Sequence, residues 1–231
     1  MAERVALVTG ASRGIGAAVA VELGRRGVHV VITARTSGGL EETDDAIRMA
    51  GGSATLLPLD LRDGAAVDGL GPSLHARFGR LDILVHAAAI LGTLTPVAHI
   101  LPKDWDAAMT TNLAATWRII ATASPLLAAA PAGRAVMLTE RLALEPRAYW
   151  GLHGASKAAA AHLVQAWARE MQTTPLRINL FDPGPVATRL RVAAMPGEDA
   201  ATLATPADVA PAIADLCEHA ETGTAQWVRR G

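Results

Sequence analysis

Short apolar runs alternate with longer amphipathic stretches along almost the whole chain. The short runs are continuously apolar and rich in β-branched residues, which is typical of strands buried on both faces of a parallel sheet. Strands are predicted over residues 4–9, 28–33, 54–59, 81–85, 134–139, 176–181 and, at an edge, 225–229. Helices are predicted over residues 15–26, 40–50, 63–78, 102–129, 152–171 and 206–219. This alternation predicts a doubly wound α/β fold, a parallel sheet with helices on both faces.

Proline and glycine modify this pattern at a few places. Pro125 lies inside the stretch 102–129 and is expected to kink or break the helix there. The stretch 188–205 has no clear periodicity and is predicted as a loop near the substrate, containing Arg189 and Arg191. Two arginines there could attract an acidic substrate or simply be solvated. Nothing resembles a linker or a repeat, so we expect one domain over residues 1–231.

Composition and charge narrow the classes of function. The chain has 231 residues, 51% of them hydrophobic, and a formal net charge of −1. This charge gives no reason to expect nucleic acid or an anionic membrane as a partner. A single cysteine, Cys217, excludes an internal disulfide and fits a reducing compartment. The pattern contains no secretory signal or membrane span, so we expect a cytoplasmic protein. We also expect it to bind a small-molecule substrate and no metal ion.

The first strand leads directly into a glycine-rich turn and then a helix. Gly10, Gly14 and Gly16 have a spacing that allows a tight turn, close approach of a phosphate to the backbone, and close helix–strand packing. The amide groups at the start of the helix would then face an anion. By itself such a turn is a weak signal, and a loop without a ligand is the alternative.

Several motifs together make the resemblance more specific. They are Thr9-Gly10-x-x-x-Gly14-x-Gly16, Asp60 after the third strand, Asn112, Ser156-Lys157 and Pro183-Gly184-Pro185-Val186-Ala187-Thr188. In combination they resemble the short-chain dehydrogenase/reductase family over essentially the whole chain. The resemblance implies a Rossmann-type NAD(P)-binding domain with one bound dinucleotide. It also implies a homodimer or homotetramer, for which the small faces of the helical stretches 113–130 and 155–168 are candidates.

The resemblance assigns a set of cofactor-binding positions. Asp60 corresponds to the residue that bonds the adenine amino group, and Thr188 to the one that bonds the nicotinamide amide. The full set comprises Gly10, Ser12, Arg13, Gly14, Ile15, Gly16, Arg35, Asp60, Leu61, Ala87, Ala88, Lys157, Pro183, Gly184, Val186 and Thr188. After the fourth strand the family usually has Asn-Asn-Ala-Gly, whereas this chain has His86-Ala87-Ala88-Ala89. We interpret His86 as a structural histidine with satisfied hydrogen bonds.

Charge at the end of the second strand indicates which dinucleotide is bound. An acidic residue there would bond the ribose diol and repel a 2′-phosphate. The chain instead has Thr33-Ala34-Arg35, and Arg13 lies in the glycine turn. Guanidinium groups pair well with phosphate oxygens. The sequence therefore favours NADP(H) over NAD(H), with a solvated Arg35 as the alternative.

The catalytic positions depart from the family. The resemblance implies a Tyr that exchanges the proton, a Lys that lowers its pKa, a Ser that bonds the substrate oxygen, and an Asn in a water relay. Asn112 and Lys157 are present, but the Tyr position, four residues before Lys157, is His153, and the Ser position is Glu140. The only tyrosine, Tyr149, lies one helical turn before His153, too early to replace the family's Tyr.

These substitutions leave three functions open. His153 and Lys157 share a helix face, and Glu140 could pair with either of them. A Glu140–His153 pair could provide the acid and base of an NADP-dependent oxidoreductase acting on a carbonyl or alcohol. Alternatively, the chain is a dinucleotide-binding pseudoenzyme, a sensor or oligomer partner. The third possibility is a lyase or isomerase in which Glu140 or His153 abstracts a proton.

Overall fold

A seven-stranded parallel sheet organises the chain in the computed structural model, which describes residues 4–219 and 223–229. Its strand order is β3-β2-β1-β4-β5-β6-β7, and every pair of neighbours runs parallel. The strands are β1 Val5–Thr9, β2 His29–Ala34, β3 Ser53–Pro58, β4 Ile83–His86, β5 Arg134–Leu138, β6 Arg177–Asp182 and β7 Trp227–Arg229. The predicted fold class and all seven predicted strands are confirmed, with ends that shift by at most two residues.

Helices cover both faces of the sheet. They are α1 Gly14–Arg25, α2 Ser37–Met49, α3 Gly64–Asp68, α4 Leu70–Phe78, α5 Pro102–Ala108, α6 Ala115–Ala128, α7 Gly151–Glu170, α8 Arg189–Ala194 and α9 Pro206–Glu218. Leu23 of α1 and Ile213 of α9 belong to the apolar core on one face. Ile119 of α6 and Trp167 of α7 belong to the core on the other. Among the described residues, no helix has the length and apolar character needed to span a bilayer.

The predicted helix over residues 63–78 is wrong as a single element. It is two helices, with Gly69 between Asp68 and Leu70. Asp63 caps the first helix by accepting a hydrogen bond from the Ala66 amide. Just after the break, the Gly71 amide donates to the Thr122 hydroxyl at 2.8 Å, and a Cβ on Gly71 would lie 2.5 Å from that oxygen. The second helix therefore lies in close contact with α6 at Gly71.

Of the kink or break predicted at Pro125, the break does not occur. The helix α6 continues through Pro125 to Ala128, although proline has no N–H to donate to the preceding turn. The irregularity lies earlier, in a π-helical turn over Met109–Ala114. Just after this turn, the Thr116 hydroxyl of α6 donates to the Asn112 carbonyl at 2.8 Å. Such turns often occur at functional sites.

The stretch predicted as a loop after Thr188 contains the short helix α8. The Thr188 hydroxyl caps it by accepting a hydrogen bond from the Arg191 amide at 3.2 Å. Further along, Arg191 forms an ion pair with Glu198. The charge of Arg191 is thus partly offset by Glu198.

His86 is a structural histidine, as the sequence indicated. It is buried at the end of β4, and its two ring nitrogens share hydrogen bonds with Thr9 Oγ1 at 2.8 Å and Thr116 Oγ1 at 3.0 Å. Burial, together with the positive charge of Lys157, lowers the pKa of His86 from 6.5 to about 3. The imidazole is therefore neutral in the folded protein at neutral pH.

This shift predicts a specific loss of stability in acid. Between pH 6.5 and 3 the unfolded chain protonates His86 while the folded chain does not, so stability falls as pH falls. The contribution has a slope of up to about 1.4 kcal/mol per pH unit. Denaturant unfolding between pH 6.5 and 4 should give a shallower slope for His86→Asn than for the wild type. The control His162→Asn, at an exposed site, should keep the wild-type slope. Equal slopes for all three proteins would contradict the assignment.

Candidate active site

Two adjoining cavities follow the carboxyl ends of the strands, where ligands bind in open α/β sheets. We call the first the arginine lobe, since its lining includes Arg13, Arg35 and Arg62. The second is the lysine lobe, whose lining includes Lys157 and Glu140. Gly10, Arg13, Ala87 and Ala89 line both cavities. Every cofactor-binding residue indicated by the sequence lines one lobe or the other.

The three glycines of the turn serve two different purposes. A Cβ on Gly10 would lie 2.8 Å from the Ala88 backbone, and one on Gly16 would lie 2.4 Å from the Gly10 carbonyl oxygen. Gly14 has φ of +60°. Among the described residues, a Cβ on Gly14 would meet only the Thr188 methyl group, at 3.6 Å. Arg13 provides no side-chain cap for α1. The first amides of α1 are therefore open to the cleft, as phosphate binding requires.

The arginine lobe combines two free guanidinium groups with one that is paired. Within the described part of the chain, the Arg13 and Arg35 side chains form no hydrogen bond or ion pair. Arg62 instead holds Asp60 through Nε–Oδ1 and Nη2–Oδ2 contacts of 3.0 and 2.6 Å. These hydrogen bonds lower the pKa of Asp60, with the charge of Arg35 adding to the effect. The sequence analysis missed Arg62, and its position two residues after Asp60 was the available signal.

Glu140 pairs with His153 at the edge of the lysine lobe. His153 Nε2 and Glu140 Oε1 share a hydrogen bond. The other ring nitrogen, Nδ1, is 3.0 Å from the Ile90 carbonyl oxygen. A carbonyl can only accept, so Nδ1 carries a hydrogen and donates it. A proton shared with Glu140 can therefore reside only on the Nε2 side of the ring.

The two partners differ in their access to the cleft. The His153 side chain is 1% exposed and does not line the lobe, whereas the Glu140 side chain is 29% exposed and does. Of the two residues predicted to replace the family's Ser and Tyr, only Glu140 thus lines the cleft. His153 lies behind it, although it occupies the Tyr position. Trp150 packs edge-on against the imidazole with ring centroids 6.1 Å apart.

Lys157 contributes charge without pairing with Glu140. Its Nζ donates to the Leu138 carbonyl oxygen at 2.7 Å. Burial lowers the pKa of Lys157, and the nearby negative charge of Glu140 offsets part of this effect. Burial alone would raise the pKa of Glu140, but the hydrogen bond with His153 and the positive charges around it bring that pKa below its usual value. The lobe therefore holds a carboxylate and an ammonium group in one partly enclosed site.

Asn112 fixes the backbone that orients His153. Its Oδ1 accepts from the Ile90 amide at 2.8 Å, and its Nδ2 donates to the Ile90 carbonyl at 2.9 Å. Nδ2 also donates to Ser156 Oγ at 3.0 Å, and that hydroxyl donates to the His153 carbonyl. Asn112 is buried and lines neither lobe. Asn112 therefore contacts the Ile90 peptide and Ser156 and not the cleft.

Tyr149 does not enter the cleft. It precedes α7, has φ of +71° and is 61% exposed. Its backbone carbonyl accepts a hydrogen bond from the Thr95 amide at 3.1 Å. Neither lobe is lined by Tyr149.

Comparison with known proteins identifies relatives over most of the chain. Residues 4–199 match the family model described as short chain dehydrogenase. YciK of Escherichia coli K12, described as an uncharacterized oxidoreductase, is 33% identical over 212 residues, which cover 90% of this chain and 84% of YciK. Two crystal structures of short chain dehydrogenases are similar to this chain. One is from Shigella flexneri 2a, complexed with NADP, and the other is from Escherichia coli CFT073, complexed with NADPH. Each is 32% identical in sequence to this chain and superposes with a TM-score of 0.93. The matches cover 98% of this chain and 96% and 95% of those chains, respectively.

Proposed function

Since the chain belongs to the short-chain dehydrogenase/reductase family, we propose that it is an NADP(H)-dependent oxidoreductase acting on a carbonyl or alcohol, with Glu140 and His153 exchanging the proton. The observation that carries this proposal is the Glu140–His153 hydrogen bond, with the carboxyl group in the cleft and the imidazole buried behind it. The pair offers a proton at one defined point of the lysine lobe.

The residues of the cleft fit an NADP cofactor. The uncapped start of α1 and the open backbone at Gly14 suit a pyrophosphate. Arg13 and Arg35 have free guanidinium groups for a 2′-phosphate, and β2 ends without a carboxylate that would repel it. The similar structures complexed with NADP and NADPH support the same choice.

The proton path follows from the hydrogen bonds of the pair. Bound NADPH supplies a hydride, so the oxygen of a reduced carbonyl must receive one proton. The pair starts with one proton shared between His153 Nε2 and Glu140. Glu140 takes up this proton from Nε2 and delivers it to the substrate oxygen from the cleft side. His153 keeps the hydrogen on Nδ1, held by the Ile90 carbonyl. The pair ends as a carboxylate and a neutral imidazole, and oxidation of an alcohol reverses each transfer.

Lys157 and Asn112 support this exchange from different positions. The buried ammonium group of Lys157 provides positive charge near the substrate oxygen, where negative charge develops during reduction. Asn112 holds the Ile90 peptide at both its N–H and C=O. The direction of the Nδ1 hydrogen bond, and with it the aim of Nε2, therefore depends on Asn112.

The test combines NADPH binding with turnover. Binding is measured by NADPH fluorescence, and oxidation of NADPH is followed with a panel of aldehydes and ketones. We expect the wild type to bind and oxidise NADPH, and the double variant Glu140→Ser, His153→Tyr provides the family's usual groups for comparison. Binding without oxidation, with activity only in the double variant, would indicate a pseudoenzyme. Loss of a substrate proton to solvent without NADPH oxidation would indicate a lyase or isomerase, and no binding would overturn the proposal.

A further inference from the structure

A third cavity adjoins the lysine lobe at Glu140, and we call it the outer cavity. Its volume is about 440 Å³, which is within the range of small-molecule sites. The lysine lobe and the outer cavity share the lining residues Glu140, Trp150, Gly184, Pro185 and Arg191. Among the described residues, the outer cavity shares no lining residue with the arginine lobe. A substrate whose oxygen contacts Glu140 can therefore extend into the outer cavity, away from the cofactor.

Four arginines line the outer cavity, and three of them have a carboxylate partner. The ion pairs are Arg141–Glu145, Arg191–Glu198 and Arg229–Asp182. Arg147 also lines this cavity, but its guanidinium forms no hydrogen bond or ion pair with the residues that the structure describes. The carboxylates of these pairs are offset by their own arginines, and Glu140 shares a proton with His153. Of the four arginines, Arg147 is therefore the one available to an anionic ligand.

Trp150 holds Arg147 in place without using its hydrogen-bond donors. The Arg147 Cζ lies over the indole ring, 5.7 Å from its centroid, which is within the range of a cation–π contact. Trp150 is buried, and its other contact is the edge-on packing against the His153 imidazole. Stacking uses the flat face of a guanidinium, whereas its N–H donors lie at the edge and match the two oxygens of a carboxylate. Arg147 is thus a positioned anion-binding group linked through Trp150 to the catalytic pair.

We propose that Arg147 binds a carboxylate of the substrate, so that the substrate is a carbonyl compound or alcohol that is also an acid. This inference rests on the proposed function, because it names the substrate class of the same reaction. The reacting oxygen contacts Glu140, and the carboxylate lies in the outer cavity and accepts two hydrogen bonds from Arg147. A neutral carbonyl compound cannot form this ion pair, so the enzyme favours the acid.

The test compares oxo acids with their methyl esters, which keep the reacting carbonyl without the negative charge. The series varies the number of methylene groups between the carbonyl and the acid, so that the span from Glu140 to Arg147 is sampled. For the best acid, Arg147→Ala should lower kcat/KM by roughly 10- to 50-fold, the lower part of the range for a charged hydrogen bond, because Arg147 is exposed. The ester's kcat/KM and the Kd for NADPH should not change. Arg147→Lys keeps the charge without the planar fork and should retain part of the preference for the acid.

Arg77→Ala is the matched control. The Arg77 guanidinium also stacks on an aromatic ring, with its Cζ 5.2 Å from the centroid of Phe78, but Arg77 lines neither the lysine lobe nor the outer cavity. Its removal takes away the same charge from the surface, and the ratio of kcat/KM for acid and ester should stay at the wild-type value. All variants are measured at one salt concentration, since salt screens exposed charges.

A binding measurement tests Arg147 without turnover. The hydroxy acids that correspond to the series are titrated calorimetrically into protein saturated with NADPH, which cannot reduce an alcohol. We expect the wild type to bind a hydroxy acid, and Arg147→Ala to weaken this binding by a factor in the same range. The Arg77→Ala control should bind it as the wild type does.

The outcomes separate this inference from the proposed function. If the wild type reduces acids and esters equally well, or if Arg147→Ala loses activity equally with both, the inference is overturned and the proposed function stands. If the wild type oxidises no NADPH but binds a hydroxy acid through Arg147, the proposed reaction is overturned and the carboxylate site stands. If it neither oxidises NADPH nor binds a hydroxy acid, both are overturned.

Discussion

Replacing Glu140 by Gln is expected to lower kcat by roughly 100- to 10,000-fold, the usual contribution of a general acid or base. The amide cannot take up or release the proton that Glu140 shares with His153. It keeps nearly the same shape, so the Kd for NADPH should not change. Stopped-flow measurement of NADPH oxidation, with NADPH binding followed separately, would separate the two effects. A variant with wild-type kcat would show that the proton comes from another group.

Glu145→Gln is the matched control for this experiment. Glu145 is five residues further along, pairs with Arg141 and lines neither lobe. The same loss of one negative charge there should leave kcat unchanged. If both variants lost activity equally, a general electrostatic effect of the local charge would explain the result better than proton transfer by Glu140.

Removing the two free guanidinium groups of the arginine lobe should shift the cofactor preference from NADPH towards NADH. A hydrogen bond to a charged group contributes about 1.5–3 kcal/mol, which corresponds to roughly a 10- to 150-fold change in Kd. Arg13→Ala and Arg35→Ala should each weaken NADPH binding by an amount in this range. Binding of NADH, which lacks the 2′-phosphate, should be affected far less. Fluorescence titration of both cofactors at one fixed salt concentration measures the difference.

Arg48→Ala provides the control for overall charge. Arg48 lies on α2 in an ion pair with Asp44 and outside both lobes. Its removal should leave both affinities unchanged. Equal losses of NADPH and NADH affinity in the Arg13 and Arg35 variants would contradict recognition of the 2′-phosphate, and would place these arginines against the shared part of the two cofactors.

The fold was largely predictable because most residues of the strands β1, β2, β4, β5 and β6 are buried. Such strands are continuously apolar and bounded by glycine or polar residues, so their positions are visible in the sequence. The division at Gly69 and the π-helical turn over Met109–Ala114 were not. Both depend on contacts between distant segments, of Gly71 with Thr122 and of Asn112 with Ile90. A local sequence pattern does not reveal contacts between distant segments.

The cofactor-binding positions of the candidate site were predictable from the sequence, but the orientation of its side chains was not. The motifs identified the predicted cofactor-binding residues, which line the two lobes and follow the ends of strands. They did not identify Arg62, and the predicted catalytic residues Asn112 and His153 line neither lobe. The sequence left open whether Glu140 pairs with His153 or Lys157, and it gave no sign that His153 is shielded from the cleft. Those features depend on side-chain orientation and on the Ile90 carbonyl.

The π-helical turn over Met109–Ala114 restricts deletions in this segment of the chain. Such a turn accommodates one residue more than an α-helical turn would. The side-chain faces before and after Met109–Ala114 are therefore offset by about 100°, the rotation of a single helical residue. Deleting one residue between Pro102 and Ala128 would allow a regular helix, but it would rotate Asn112 away from Ile90. This segment should thus tolerate substitution more readily than a change in residue count.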